Sequence, residues 1–285
     1  MTLTRRGVYG EPVVDGRPVR DTALARLRGR IQALLVSSAE REEAKLERQL
    51  RSGPCVTRAN TVAVVSPKGG VGKTTSALLI GDLLASRRRL GVVAVDANSD
   101  FGTLADLAAD DSGERSLADL LAELDHVVTA AQLRRYMSRL PSGLHLLAAP
   151  HAAVTPDEYG RLLAFLSMFY EALILDVGTG LTGPIARLAL ERADQLVLVT
   201  TPDPVASQLT LSALDHLEPE RTTVLVNKAP ASTPTPCGPH RCVVLPSDEQ
   251  LRLMLESGTY SLGALPRGVR LPVKRLALAV SEQLV

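Results

Sequence analysis

The sequence predicts a doubly wound α/β fold, in which a mainly parallel sheet carries helices on both faces. Three observations predict it. From about residue 60, short apolar runs alternate with longer helix-compatible runs, which is the pattern of α/β proteins. Several apolar runs, such as 92–95 and 196–199, are continuous, as in strands buried on both faces of a parallel sheet. A glycine-rich segment at 66–75 separates the first predicted strand from the first predicted helix.

The predicted elements follow one another along a single domain over residues 59–285. The predicted strands cover residues 61–66, 91–96, 144–148, 172–176, 195–201, 222–227 and 242–245. The predicted helices cover residues 73–85, 117–123, 130–139, 156–168, 184–191, 204–216, 248–256 and 273–283.

Residues 1–58 form a predicted extension with one long amphipathic helix over about 21–51. Apolar residues recur there at spacings of three and four, at Leu24, Leu27, Ile31, Leu34 and Leu35. The second half of this helix is strongly charged, with Leu46 and Leu50 as its large apolar residues. The apolar stripe needs a partner, which its own domain, a second subunit or another protein could provide.

Composition narrows the class of protein. The chain has 285 residues, 45% of them hydrophobic, and three cysteines, which is typical of a globular protein in a reducing compartment. No apolar run reaches the roughly 18 residues of a membrane span, so we expect a cytoplasmic protein. The net charge of +1 gives no global signature of nucleic-acid binding. Residues 1–60 carry a balance of +5, which indicates a solvated helix face or a contact with an acidic partner.

Residues 66–75 read SPKGGVGKTT between a β-branched run and a helical run, which predicts a phosphate-binding loop. Glycines let the backbone curl so that successive N–H groups point at one anion, and the positive end of the following helix adds to that field. Lys73 is predicted to bind the β- and γ-phosphates, and the Thr74 hydroxyl to bind Mg²⁺. The predicted nucleotide-binding residues of the loop are Lys68, Gly69, Gly70, Val71, Gly72, Lys73, Thr74 and Thr75.

The loop departs from the common form, because Pro67 occupies the position of the usual first glycine and Lys68 adds a second lysine. The string KGGVGKTT resembles the deviant loop of the MinD/ParA family of ATPases. The resemblance covers about residues 60–285. It implies ATP or ADP and Mg²⁺ as ligands, ATP hydrolysis, and a homodimer that sandwiches ATP. It also implies that Lys68 reaches the ATP of the partner subunit.

Residues 96–104, DANSDFGTL, resemble the first switch segment of that family. The resemblance implies that Asp96 holds Mg²⁺ through water. Asn98 stands where the family has a second aspartate, and an amide can orient a water molecule but cannot take its proton. Positioning and charge carry much of phosphoryl transfer, so we expect slow hydrolysis. Asp100 could take the place of the missing carboxylate.

An apolar strand that closes on Asp176 and continues as Val177-Gly178-Thr179-Gly180 resembles the Walker B and second switch segments. The resemblance implies that Asp176 acts on Mg²⁺ through water or through the Thr74 hydroxyl. It also implies that the Gly178 N–H senses the γ-phosphate.

Three later segments resemble further parts of the family site. Residues 199–204, VTTPDP, match a strand-end turn near the dimer face. Asn227 and Lys228 close a strand that resembles the base-reading strand, and an asparagine amide can both donate to and accept from adenine. The segment 245–248, LPSD, resembles the loop that covers the base, which makes Pro246 and Asp248 candidates.

Several alternatives about partners stay open. The sequence of residues 96–104 most resembles that of the actinobacterial MinD-like branch associated with specialised secretion, and this resemblance implies a protein partner. A ParA-like DNA partition ATPase would need a basic face. An iron–sulfur or metal carrier of the same fold would use Cys237, His240 and Cys242. The sequence has no evident C-terminal membrane-targeting helix, so we do not expect membrane binding of that kind.

Overall fold

The computed structural model describes residues 38–97, 104, 116–149, 153–230, 232–233 and 237–284. The chain divides into two units, Met1–Glu42 and Glu43–Val285. Of the first unit, residues 38–42 are described, and they are helical. The apolar stripe predicted for residues 24–35 lies outside the described residues. The second unit contains residues 43–51 of the first described helix and all the later elements.

The described elements form an α/β architecture. The helices are α1 (38–51), α2 (Lys73–Arg88), α3 (Leu117–Ala122), α4 (Ala130–Leu133), α5 (Pro156–Leu166), α6 (Pro184–Arg192), α7 (Pro204–Leu214), α8 (Glu249–Glu256) and α9 (Arg267–Ser281). The strands are β1 (Asn60–Val65), β2 (Val92–Asp96), β3 (Ser138–Arg139), β4 (His145–Leu147), β5 (Ala172–Asp176), β6 (Gln195–Thr200), β7 (Thr222–Asn227) and β8 (Arg241–Leu245). Short 3-10 turns precede β3, β7 and α9.

In the described part of the chain, the strands form one sheet in the order β3-β4-β2-β5-β1-β6-β7-β8. Every neighbouring pair is parallel except β3 and β4. Successive residues of β1 point to opposite sides of the sheet, and apolar layers cover both sides. Val62 and Val64 join an apolar layer with α2 and α9, whereas Ala63 and Val65 join a layer with α3, α5 and α6. The predicted doubly wound fold is confirmed.

Polar caps fix where several helices begin. Thr155 accepts a hydrogen bond from the Glu158 N–H while the Glu158 carboxylate accepts one from the Thr155 N–H, and Pro156 takes the first helical position of α5. This arrangement satisfies amide groups that the helix itself leaves unpaired. Asp203 and Asp248 cap α7 and α8 through the N–H groups of Ala206 and Leu251.

The prediction of a helix over residues 130–139 is wrong in its C-terminal half. Helix α4 stops at Leu133, a 3-10 turn follows, and β3 pairs antiparallel with β4 at the edge of the sheet. Burial of the Tyr136 and Met137 side chains explains the difference. The Tyr136 hydroxyl donates to Glu123 at 2.6 Å, and the Tyr170 hydroxyl lies 3.1 Å from the Met137 Sδ. The C-terminal helix also begins earlier than predicted, at Arg267, because it accommodates Pro272 internally.

The charged half of the N-terminal helix packs on the α/β domain through α9. Leu46 and Leu50 are buried. The Glu43 carboxylate accepts hydrogen bonds from Arg270 Nε at 2.6 Å and Lys274 Nζ at 3.0 Å. Lys274, only 5% exposed, also lies 2.9 Å from Glu47. Of the possible partners for the apolar residues of α1, Leu46 and Leu50 therefore use their own chain.

We expect Glu43→Ala to lower the free energy of unfolding by about 2 kcal/mol, because it removes one member of a largely buried ion cluster. The Arg270 guanidinium, together with Lys274, holds the pKa of Glu43 down to about 2. A depressed carboxyl pKa stabilises the fold above the ordinary value of 4.5 and loses this effect as pH falls toward about 2. Urea unfolding of wild type and Glu43→Gln should therefore differ most above pH ~5 and converge in acid.

The matched control is Glu249→Ala, which removes an exposed ion pair with Arg252 on α8. Exposed pairs contribute about 0–1 kcal/mol, so its unfolding midpoint should stay close to that of the wild type. Equal midpoints for Glu43→Ala and Glu249→Ala would contradict the assigned role of Glu43.

Candidate functional site

The loop between β1 and α2 has the backbone of an anion cradle. Gly70 and Gly72 have φ angles of +72° and +99°, which side chains rarely allow. A Cβ at Gly72 would also lie 2.2 Å from the Asn227 Nδ2 atom. The Ser66 hydroxyl donates to the Lys68 carbonyl at 2.9 Å and accepts from the Lys68 N–H at 3.1 Å. The loop is thus wound tightly at the positive end of α2, where an anion is favoured.

Lys73 is the first residue of α2, and its side chain points to the second switch segment. Its Nζ atom donates to Thr179 Oγ1 at 3.3 Å. Burial lowers the pKa of Lys73, and the negative charge of Asp176 opposes this effect. The ammonium group is therefore partly desolvated, and an anion in the loop would receive a strong electrostatic contribution from it.

Two carboxylates lie side by side at the carboxyl ends of β2 and β5. Asp96 and Asp176 are direct partners in the parallel ladder, and both are buried. The Asp96 carboxylate accepts a hydrogen bond from the Leu104 N–H at 3.0 Å. Asp176 Oδ1 is buried with no hydrogen-bond partner in the described part of the chain.

The environment of Asp176 fits a divalent cation. Burial raises the pKa of Asp176 to about 7, the Thr74 hydroxyl opposes the rise, and the charge of Asp96 adds to it. Two clustered carboxylates and a hydroxyl are oxygen donors of the kind that Mg²⁺ prefers. The unpaired Oδ1 atom and the adjacent like charge are features that a bound cation would compensate.

Two residues near this cluster had no assigned role in the sequence interpretation. Thr179 contacts Lys73, as described above. Tyr159 of α5 is buried, and its hydroxyl has no hydrogen-bond partner among the described residues. Burial together with the charges of Asp96 and Asp176 raises the pKa of Tyr159. Helical periodicity places Tyr159 on the buried face of α5, but only the packing of α5 on the sheet brings it close to the carboxylates.

Lys68 lies at the rim of the loop rather than with Lys73. Its Nζ atom forms an ion pair with Asp203 Oδ1 at 2.7 Å. The same oxygen caps α7 by accepting from the Ala206 N–H at 2.9 Å. The hydrogen bond from Lys68 lowers the pKa of Asp203. The predicted turn at 199–204 is therefore in direct contact with the predicted phosphate-binding loop.

The end of β7 also contacts the loop. Asn227 Nδ2 donates to the Val71 carbonyl at 2.7 Å, and its Oδ1 atom accepts from the Lys228 N–H at 2.9 Å. Lys228 has a φ of +55°, and its Nζ atom donates to the Gly70 carbonyl at 3.1 Å. Both groups of the Asn227 amide are thus used within the chain. Adenine reading by Asn227 stays a prediction, and it would use the second N–H and the second lone pair of the amide.

An open cleft of about 530 Å³ joins these parts, and its lining residues are Lys68, Gly69, Gly70, Val71, Thr201, Pro202, Asp203, Lys228 and Pro230. Pro246 and Asp248 are not in this lining, and the Asp248 carboxylate caps α8. Gly178 follows the Asp176 strand, and the nearby Gly180 N–H donates to the Ser66 carbonyl at 3.0 Å. Asn98 and Asp100 lie outside the described residues.

The structure does not bring together the three candidate ligands of the metal-carrier alternative. The His240 ring nitrogens face the carbonyls of Cys237, at 3.0 Å, and Leu217, at 3.5 Å. Across the described ranges, no three His, Cys, Asp or Glu side chains are placed to hold a metal ion together.

No helix within those ranges combines the length and the apolar character that crossing a bilayer requires.

Comparison with known proteins agrees with this geometry. The family described as "CobQ/CobB/MinD/ParA nucleotide binding domain" matches residues 62–228. The ESX-1 secretion-associated protein EspI of Mycobacterium tuberculosis is 29% identical over 273 residues, with 87% of this chain and 40% of that protein covered. The chain thus spans less than half the length of this relative.

Solved structures with the same fold include a ParA family ATPase and a MinD protein. A ParA family ATPase from Chlorobium tepidum has a TM-score of 0.65 and 23% identity over 77% of this chain and 98% of the other. The septum site-determining protein MinD from Pyrococcus horikoshii, complexed with Mg-ADP, has a TM-score of 0.62 and 19% identity over 77% and 94%. The predicted resemblance to MinD and ParA is confirmed.

Proposed function

Because the chain belongs to the CobQ/CobB/MinD/ParA nucleotide-binding domain family, we propose that it is a cytoplasmic, slowly hydrolysing ATPase that acts as a molecular switch. ATP closes a homodimer around two nucleotides, the dimer positions or assembles a protein partner, and hydrolysis releases it. The name of the secretion-associated relative supports a partner in secretion machinery. One observation carries the proposal. The two lysines of one loop have different surroundings, Lys73 near the buried carboxylates and Lys68 at the rim.

The residues inside the loop bind and orient the nucleotide. The loop N–H groups and Lys73 hold the phosphates, and Thr74, Asp96 and Asp176 provide the oxygen donors for Mg²⁺. When bound, Mg²⁺ neutralises phosphate charge and fixes the phosphates in place. Thr179 contacts Lys73, and the Gly178 N–H would sense the γ-phosphate. Slow turnover follows from Asn98, because its amide orients water without accepting a proton.

The surface next to the cleft suits a second copy of the chain. Asp203, the partner of Lys68, caps helix α7, which carries Val205 and Leu209, and these are 58% and 42% exposed. Their spacing of four residues places them on one face of the helix. Closing a dimer over this face would bury these side chains and let Lys68 exchange the Asp203 carboxylate for a phosphate of the other subunit.

We expect Lys68→Ala to bind ATP, because Lys68 does not hold the phosphates in its own loop. We expect the variant to remain a monomer, because it lacks the side chain that reaches a phosphate of the other subunit. The measurement is mass in solution without nucleotide, with ADP and with ATP–Mg²⁺. Wild type should dimerise only with ATP–Mg²⁺. The matched control, Lys45→Ala, removes an exposed lysine of α1 and should dimerise like wild type.

Two results would argue against parts of this proposal. A mass that is independent of nucleotide in wild type would contradict ATP-driven dimerisation. ATP-dependent retention on DNA that weakens steeply with salt would favour the partition ATPase instead.

A further inference from the structure

Two cysteines away from the nucleotide cleft meet at the start of β8. Cys237 precedes this strand and Cys242 is its second residue. Their Sγ atoms are 2.7 Å apart. Cys237 is buried and Cys242 is partly exposed, so one thiol of the pair is accessible to a small molecule.

A tight turn holds the two thiols together. The His240 N–H donates to the Cys237 carbonyl at 3.1 Å, and Gly238 has a φ of +57°. The His240 ring adds a contact of 3.0 Å to the same carbonyl through Nδ1. The turn reverses the chain between the two cysteines, so the backbone itself brings the sulfur atoms into contact.

The surroundings favour thiol chemistry over metal binding. The His240 ring is engaged with carbonyl groups, and in the part of the chain that the structure describes no cluster of three ligands includes these thiols. Tetrahedral metal sites need more than two ligands. The hydrogen bond with Cys242 lowers the pKa of the Cys237 thiol, against the effect of burial, which favours the thiolate form of Cys237 and therefore its attack on a mixed disulfide at Cys242.

We propose that Cys237 and Cys242 are a redox modification site, which forms a reversible intramolecular disulfide by exchange with a low-molecular-weight disulfide. The Cys242 thiolate attacks one sulfur of the small disulfide, forms a mixed disulfide and releases one small thiolate. The Cys237 thiolate then attacks the Cys242 sulfur and releases the second. The protein loses two electrons and two protons, and the small disulfide gains both as two thiols.

The bond would link the end of the β7–β8 connection to the sheet. This connection begins at Lys228 and Pro230, which line the cleft, and it ends at the cysteine pair. Cys242 is the register partner of Val224 in β7. Oxidation would therefore fix the C-terminal end of the β7–β8 connection. The N-terminal end of the same connection contacts the phosphate-binding loop.

The test uses the full chain, incubated with hydroxyethyl disulfide, quenched in acid, unfolded and alkylated with N-ethylmaleimide. Reduced protein has three cysteines and takes three adducts. Oxidised wild type should take no maleimide on Cys237 or Cys242, and this pair should have lost about 2 Da, whereas the exposed Cys55, which has no resolving thiol, takes one mercaptoethanol or maleimide adduct. Trypsin cuts after Arg241, between the two cysteines, so peptides 229–241 and 242–252 should stay joined until they are reduced.

Two variants make the test specific. Cys55→Ser should lose the remaining adduct and keep the joined peptides. Cys237→Ser should accumulate a mercaptoethanol adduct on Cys242, because it lacks the thiol that resolves the mixed disulfide. Three maleimide adducts on treated wild type, or a stable mercaptoethanol adduct on wild-type Cys242, would overturn the proposal.

Discussion

Lys73→Ala is expected to raise the Kd for ATP–Mg²⁺ on the order of 10²–10³-fold. Hydrogen bonds to charged groups contribute about 1.5–3 kcal/mol each, and Lys73 has the geometry to make one or two of them to the phosphates. Its partial burial strengthens the effect, because a desolvated ammonium group interacts more strongly with an anion than a solvated one does. Calorimetric titration with ATP–Mg²⁺ measures the change directly.

The variant should fold as well as wild type, since burial already disfavours the Lys73 charge in the absence of phosphate. Lys45→Ala serves as the matched control and should leave the Kd unchanged. An affinity within about threefold of the wild-type value, that is ~0.7 kcal/mol, would show that the phosphates do not lie against Lys73.

Asp176→Asn is expected to stabilise the nucleotide-free protein at pH 8 by about 2 kcal/mol and to abolish its stabilisation by ATP–Mg²⁺. Burial raises the pKa of Asp176 to about 7. A raised carboxyl pKa stabilises the fold at acid pH, and this contribution is lost as pH rises from about 4 through about 7. Replacing the carboxyl group by an amide removes the charge that is unfavourable above pH 7.

Thermal unfolding at pH 6 and pH 8, with and without ATP–Mg²⁺, separates the two effects. Wild type should be less stable at pH 8 than at pH 6 without nucleotide and should gain most from ATP–Mg²⁺ at pH 8. Asp157→Asn, on the exposed face of α5, should behave like wild type in both respects. If Asp176→Asn kept the full nucleotide-dependent shift, Asp176 would not be a ligand of Mg²⁺.

Those parts of the structure that depend on local pattern were predictable from the sequence. The tightly wound loop between β1 and α2 follows from its glycines in a strand–loop–helix context, and the strands follow from continuous apolar runs. The neighbouring positions of Asp96 and Asp176 follow from the rule that parallel strands end at one edge of a sheet.

The contacts that tie distant segments together were not predictable. Lys68 and Asp203 are 135 residues apart in sequence, and Asn227 and Val71 are 156 apart. Sequence periodicity carries no information about such pairs, because their geometry is decided by tertiary packing. The edge strand β3 was missed for the same reason, since burial of Tyr136 and Met137 overrides the local helical preference.

The packing of α1 on α9 has a practical consequence for cutting the chain into pieces. The motifs point to residue 59 as the first residue of the nucleotide-binding domain. A fragment that began there would lose Leu50 from the apolar layer and the buried Leu46, and it would leave Lys274 without its two carboxylate partners. A fragment that keeps these contacts therefore has to begin ahead of Glu43, well before the first motif.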